Sequence, residues 1–264
     1  MAYVKLDEVV ECMLEAGAKK ANLSIKDMLI RGVLAGAFLG YATSFAVLVT
    51  IQTNLGILGA VVFPVGLVMI VLLGLELATG NFAVIPIAVK DGRTCKGRLF
   101  HNWFWVLVGN LIGGVGYALL FTLVITKLGH VNTANLDQAI RLIAIAEQKT
   151  IAYAAIGFSG IITAFISAIL CNWMVALGSV IAFTSTTTGG KIAAIWLPTM
   201  TFFALGYEHA IVNMFVIPAG MMLGANITIL EWWTWNGIPV ILGNITGGMI
   251  FTGFALYITA RRKG

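Results

Sequence analysis

The chain has 264 residues, 59% of them from the hydrophobic set and only 10% charged, with a mean hydropathy of +0.97. A soluble domain has about 45–50% apolar and about 25% charged residues, and one of this size cannot hide the excess. The surplus lies in windows of roughly 18 or more residues, long enough as helices to cross the hydrocarbon core, so the composition excludes a soluble domain and predicts an integral membrane protein.

The first 30 residues do not read as a signal peptide, because Asp7, Glu8, Glu11, Glu15 and Asp27 interrupt any apolar core. A short amphipathic helix over about residues 5–20 fits better, lying at the membrane surface with Val9, Val10, Met13, Leu14 and Ala18 on one side. Membrane segments follow near residues 27–53, 59–90, 100–128, 150–176, 191–223 and 239–260. The link over residues 183–190 is rich in threonine and glycine. Gly80 and Pro86 interrupt the second segment, and Gly206 and Pro218 the fifth, so both are longer than one span needs and read as broken helices.

Charge orients these segments. With a cytoplasmic amino terminus and six crossings, the inner side collects Lys5, Lys19, Lys20, Lys26, Arg31, Lys90, Arg93, Lys96, Arg98, Lys191, Arg261, Arg262 and Lys263, and the outer side only Lys127, Arg141 and Lys149. Thirteen against three predicts both termini in the cytoplasm. The net charge of +5 is thus a topology signal, and no basic patch interleaved with aromatics points to nucleic acid. Cys12, Cys95 and Cys171 have no CxxC spacing and read as buried small hydrophobes.

An internal repeat organises the rest. Aligning Glu76 with Glu208 matches Glu76/Glu208, Ala78/Ala210, Asn81/Asn213, Val84/Val216, Ile85/Ile217 and Pro86/Pro218, six identities in eleven positions. Gly109-Asn110-Leu111-Ile112-Gly113-Gly114 is echoed by Gly243-Asn244-Ile245-Thr246-Gly247-Gly248 at nearly the same offset. Two ordered matches predict a duplication, with repeats over about residues 27–128 and 150–260. Each half holds three crossings, an odd number, so the halves are expected to be inverted and their breaks to meet near the midplane, where secondary transporters hold their substrates. The expected fold is all-α: six transmembrane helices in two inverted three-helix repeats, the second and fifth broken.

Ionisable residues inside a membrane are functional candidates by default, and His209 is the first of them. The plainer reading is a packed histidine bonded to a backbone carbonyl. Glu76 and Glu208 are twins under the repeat and read as structural acceptors that tie the breaks together, with Asn81 and Asn213; a cation site is the sharper alternative. His101 and His130 sit near helix ends and read as interfacial. No metal-ligand spacing, carboxylate cluster or phosphate loop GxxxxGK[ST] appears, so no enzyme, metal site or cofactor is predicted.

Three stretches then resemble one family: LGLELATGN at residues 73–81, AILCNWMV at 168–175 and GYEHAIVNMFVIP at 206–218. They are similar to the formate/nitrite transporter (FNT) family of pentameric channels and transporters for small monovalent anions, and the similarity runs over nearly the whole chain, including Ala18-Lys19-Lys20. The resemblance implies one channel domain over residues 1–264 in the cytoplasmic (inner) membrane, an aquaporin-like protomer, a homopentamer, and one substrate path through each protomer. It puts Thr79 and His209 on that path, with Asn172 facing the lumen near the histidine. It puts Phe63 and Leu67 at a cytoplasmic constriction and Phe202 at a periplasmic one, and counts Leu77 among the constriction residues. Transient protonation involving the central histidine helps the anion across, or the anion passes as such.

Two departures bear on selectivity. The family's Leu-Phe-Thr is here Leu77-Ala78-Thr79, and its vestibule lysine, sixteen residues before Asn172, is here Ile156. Lys149, seven residues earlier, is the candidate replacement. Formate is the first expected substrate, hydrosulfide the second and nitrite the third. A water- or glycerol-type pore is the competing class, but neither Asn81 nor Asn213 is followed by Pro-Ala. A non-transporting scaffold leaves the polar residues at both breaks without a role.

Overall fold

The computed structural model describes residues 3–261; Arg262 and Lys263, counted above on the inner side, lie outside the described residues. The described residues form helices and no strand. In chain order these are α1 (Leu6–Ala21), α2 (Ile25–Thr53), α3 (Gly56–Val62), α4 (Val65–Leu72), α5 (Ala78–Lys90), α6 (Lys96–Ile125), α7 (Asp137–Gln148), α8 (Ile151–Ala155), α9 (Phe158–Ile181), α10 (Thr188–Ala204), α11 (Ala210–Leu223) and α12 (Ile229–Ala260). Four of them, α2, α6, α9 and α12, are long and apolar enough to cross a membrane.

The helix α1 is amphipathic, as its pattern predicts, but its apolar face is turned to protein. Val9, Val10, Met13, Leu14, Gly17 and Ala21 are buried, and Gly17 rests on the Val84 carbonyl and Ala88 of α5. Gly17 thus holds the contact expected of Ala18. The strand-like residues before α1 are tied down as well: Val4 N–H donates to the Thr184 carbonyl at 2.8 Å. At its outer edge Arg93 forks onto Glu11 at 2.7 and 2.9 Å and reaches Asp91 at 2.9 Å, while Tyr257 donates to Asp91 at 2.9 Å. The Arg93 hydrogen bonds hold the Glu11 carboxyl below the usual range and raise the guanidinium in turn. Burial pushes Asp91 up, but the Arg93 and Tyr257 hydrogen bonds outweigh it and leave that carboxyl lowered too.

Of the four predicted interruptions, Gly206 marks a helix break and the other three do not. Gly80, Pro86 and Pro218 lie inside α5 and α11, and the helix stops instead at Leu73–Leu77 and Leu205–His209. A proline lacks only its own N–H and can remain in a helix whose neighbours hold it. A further interruption, at Phe63 and Pro64, separates α3 from α4. The helices α5 and α11 are short, with 13 and 14 residues, and nearly every side chain is buried, consistent with sequences that are apolar all round.

Other differences have local causes. The fourth predicted segment begins, as α9, at Phe158 and not at 150, because Gly157 at φ 59° turns the chain after the short α8. No element was expected over residues 137–148, yet Ala139, Leu142 and Ala146 form the buried face of α7 at helical spacing. Cys171 is buried as predicted, but Cys95 is exposed and Cys12 only partly covered. The helix α12 carries π-helical stretches over Trp233–Gly237 and Gly247–Phe254. Such insertions are common at functional sites, and the second abuts the site described next.

Candidate site at the paired helix breaks

The two breaks have one local structure. Gly74 (φ 64°) ends α4 and Gly206 (φ 70°) ends α10, each in the left-handed conformation that glycine adopts without strain. In both, the following N–H reaches back five residues: Leu75 to Ile70 at 2.9 Å and Tyr207 to Phe202 at 3.3 Å, the Schellman arrangement. Leu77 (φ −113°, ψ 118°) and His209 (φ −113°, ψ 116°) then cap α5 and α11. Leu73-Gly74 and Leu205-Gly206 thus extend the repeat beyond the eleven positions aligned above.

A buried polar scaffold repeats with it. Lys20 Nζ lies 2.7 Å from Glu76, whose other oxygen accepts from Asn81 at 2.8 Å. Asn81 also donates to Asn102 at 2.9 Å, and Asn102 donates to the Lys20 carbonyl at 2.9 Å, closing a ring. In the second half Lys149 Nζ lies 3.0 Å from Glu208, Asn213 donates to Glu208 at 2.7 Å and to Asn236 at 2.9 Å, and Asn236 donates to the Lys149 carbonyl at 3.0 Å. The expected structural acceptors therefore carry two further pairs that sequence reasoning missed, Lys20/Lys149 and Asn102/Asn236. Burying these carboxylates is tolerable only because each is met by an ammonium and an amide. The Asn-Gly echoes complete the scaffold: Asn110 accepts from Ala78 N–H at 3.0 Å, and Asn244 from Ala210 N–H at 2.9 Å. Each asparagine thereby satisfies an end amide of a half-helix that has no partner within the helix.

The halves meet at Thr79 and His209, both buried. Thr79 Oγ1, in the first turn of α5, is 3.1 Å from His209 Nε2, at the cap of α11. His209 Nδ1 accepts from Val212 N–H at 3.2 Å, so the proton of the neutral ring sits on Nε2 and donates to Thr79. The N-terminal ends of two half-helices, with their partial positive charge, thus face one junction. Asn172, from α9, is fully buried; its amide donates to the Thr79 carbonyl at 3.1 Å and the Asn244 carbonyl at 2.6 Å. Its Oδ1 has no partner. A side chain at Gly248, in the π stretch of α12, would sit 2.6 Å from the Asn172 amide and 3.4 Å from the Thr79 carbonyl, so glycine is needed for this close approach.

Two cavities approach the junction. One, of about 330 Å³ on the α7 side, is lined by Phe202, His209 and Lys149 among others. The other, of about 160 Å³ on the α1 side, is lined by Leu67, Leu77 and Lys20 among others. Phe202 stacks on His209, with centroids 5.7 Å apart. Phe63 is not at the opposite end from Phe202: its ring lies 5.6 Å away, edge-on, and stacks on Phe203 at 3.9 Å. It sits four residues before Leu67, about one helical turn, and so lies with Phe202 while Leu67 lines the α1-side cavity. Ile156 is exposed, whereas Lys149 lines the α7-side cavity. His101 and His130 are exposed and line neither cavity. Arg141, Gln148 and Tyr207 also line this cavity and were not singled out from the sequence; the unanticipated α7 supplies the first two.

Long apolar helices around a buried polar junction, open to a cavity on either side, define an integral membrane protein of the channel and transporter class. The formate/nitrite transporter family matches residues 7–258, and the chain belongs to that family. It is 35% identical over 272 residues to the formate channel BtFdhC of Bacillus thuringiensis, covering 100% of this chain and 98% of that one. It superposes on a solved FNT family ion channel with a TM-score of 0.80 at 25% identity, covering 96% of this chain and 98% of the other. A solved pentameric formate channel with formate bound gives 0.69 at 26% identity, over 89% and 96% of the two chains.

Proposed function

We propose that this protein conducts small monovalent weak-acid anions, formate foremost, through each protomer of a homopentamer in the cytoplasmic membrane, with both termini inside. In this reading the chain crosses the membrane six times in two inverted repeats, and α4–α5 and α10–α11 are the broken segments. The observation that carries the proposal is the Thr79–His209 hydrogen bond, 3.1 Å long, between two half-helix N-termini. Such a junction offers donors and partial positive charge to an anion and nothing of equal strength to a cation.

An anion entering from the α7 side sheds water at the aromatic cluster of Phe63, Phe202 and Phe203. It meets the His209 and Thr79 donors and leaves past Leu67 and Leu77. The apolar rings exclude hydrated ions, because bare charge is costly there without paired donors. The Nε2 proton of His209 is the one a bound carboxylate can share, so the histidine couples proton and anion movement. Asn172 holds the Thr79 carbonyl and keeps its own Oδ1 as an acceptor for a protonated substrate. The named relative and the formate-bound neighbour support formate over nitrite and hydrosulfide.

The test is flux into liposomes carrying purified protein and an internal pH dye, under gradients of formate, nitrite, hydrosulfide and chloride. Protein-dependent flux of formate well above chloride is expected. Water permeability without any weak-acid flux would instead make this a neutral-solute pore.

A further inference from the structure

The two cavities are unequal in charge. On the α1 side the cation Lys20 is bound by Glu76 at 2.7 Å, and on the α7 side Lys149 is bound by Glu208 at 3.0 Å, so neither ammonium is free to attract an anion. Arg141 is different. It lines the larger cavity, it is exposed, and among the described residues no carboxylate lies within ion-pair distance of it. Arg141, Ile145 and Gln148 recur four and three residues apart, so one face of α7 presents a guanidinium and a primary amide to the cavity. The opposite face fixes that placement: Leu142 and Ala146 are buried, and Gly220 of α11 has no Cβ because Ala146 fills its place. This is a donor set at the entrance, carried on a fixed helix that packs on α11 as its counterpart α1 packs on α5.

We infer that Arg141, with Gln148, is a capture site for planar two-oxygen anions, the carboxylates and nitrite, at the α7-side mouth. The inference rests on the anion conduction proposed above and narrows its substrate class. A guanidinium presents parallel N–H donors that match two oxygens of one anion, whereas hydrosulfide and chloride meet it only as point charges. The site raises the local concentration of such anions ahead of the apolar cluster and leaves passage through the junction unchanged.

The test compares wild type, Arg141→Lys and Arg141→Gln in right-side-out and inside-out vesicles. KM and saturating flux are measured for formate, nitrite and hydrosulfide after subtraction of protein-free leak. With anion on the α7 face, R141Q raises KM for formate and nitrite about threefold or more, with a smaller rise for hydrosulfide and unchanged saturating flux. R141K restores the hydrosulfide KM but not that for formate. Because Arg141 is unpaired, both variants keep the wild-type melting temperature, which separates capture from misfolding. An unchanged formate KM in R141Q overturns the inference, and so does an equal rise for all three anions that R141K reverses. Absence of flux in the wild type overturns the conduction reading and this inference with it.

Discussion

At Leu77 and at His209 the backbone is the same within 2° in ψ, each residue caps a buried half-helix, and each follows a buried carboxylate held by lysine and asparagine. The side chains differ completely. At the first break the cap is apolar and faces a small, apolar cavity; at the second it is an imidazole that bonds its own helix on one nitrogen and the other half on the second. The comparison separates scaffold from chemistry: what the breaks share holds the chain open inside a membrane, and what they do not share is available to a substrate.

The largest effect is expected on removing a shared carboxylate. Among the described residues the Glu208 carboxylate is bonded by Lys149, Tyr153, Asn213 and Asn236, and that of Glu76 only by Lys20 and Asn81. Substituting either by leucine strands a partly buried ammonium, Lys149 at 15% and Lys20 at 26% exposure, at about 3 kcal/mol or somewhat less. Melting of the detergent-solubilised protein should show E208L worse than E76L; a reversed order would mean the second break is not the more tightly bound. The twin glycines come next. Alanine at Gly248 presses on Asn172 and Thr79, and alanine at Gly114 on the Met214 backbone 2.9–3.0 Å away. Both overpack, by about 1–3 kcal/mol. Only G248A should also cut formate flux per folded protomer, at least fivefold; an equal loss in G114A would remove Asn172 and Thr79 from any special role.

Tyr153 distinguishes the breaks more gently. Its hydroxyl donates to Glu208 at 3.0 Å, and Glu76 has no counterpart, so Y153F should bring the second scaffold toward the first at a cost of about 1–2 kcal/mol, with flux nearly unchanged. The smallest effect lies outside the membrane. The Glu11 carboxyl is lowered by Arg93, so its contribution is present above the ordinary carboxylate pKa and is lost as pH falls through the lowered one. Because Glu11 is 47% exposed, the loss is only about 0.5 kcal/mol. Protease sensitivity of α1 should rise below about pH 4, and R93Q should weaken that dependence, leaving the part due to Arg261.

Much of this was legible beforehand, for physical reasons. Hydropathy marks the four long helices because each must offer apolar surface to lipid. The repeat around Glu76 and Glu208 is dense enough to read because buried backbone leaves few alternatives at a break. The pairing of Lys20 with Lys149 and of Asn102 with Asn236 is not legible because their flanking sequences have diverged, and only the closed rings reveal it. The helix α7 is as amphipathic as α1, and it goes unread only because it falls in the link between the third and fourth predicted membrane segments. Phe63 was assigned to the wrong end because sequence does not say which turn of a helix faces which partner. Gly206 is legible as a break and its twin Gly74 is not, while Gly80, Pro86 and Pro218 lie inside helices that their neighbours hold together.

The central claim is that the histidine of the second break, and not the scaffold it shares with the first, supplies the anion and proton chemistry. Its most direct test is protein-dependent formate flux measured from pH 5 to pH 8 in liposomes holding wild type or His209→Leu, which gives the second break the cap of the first. The account predicts a folded H209L protein whose flux is at least tenfold lower and whose pH dependence is gone. Wild-type flux with the wild-type pH profile in that variant would contradict it.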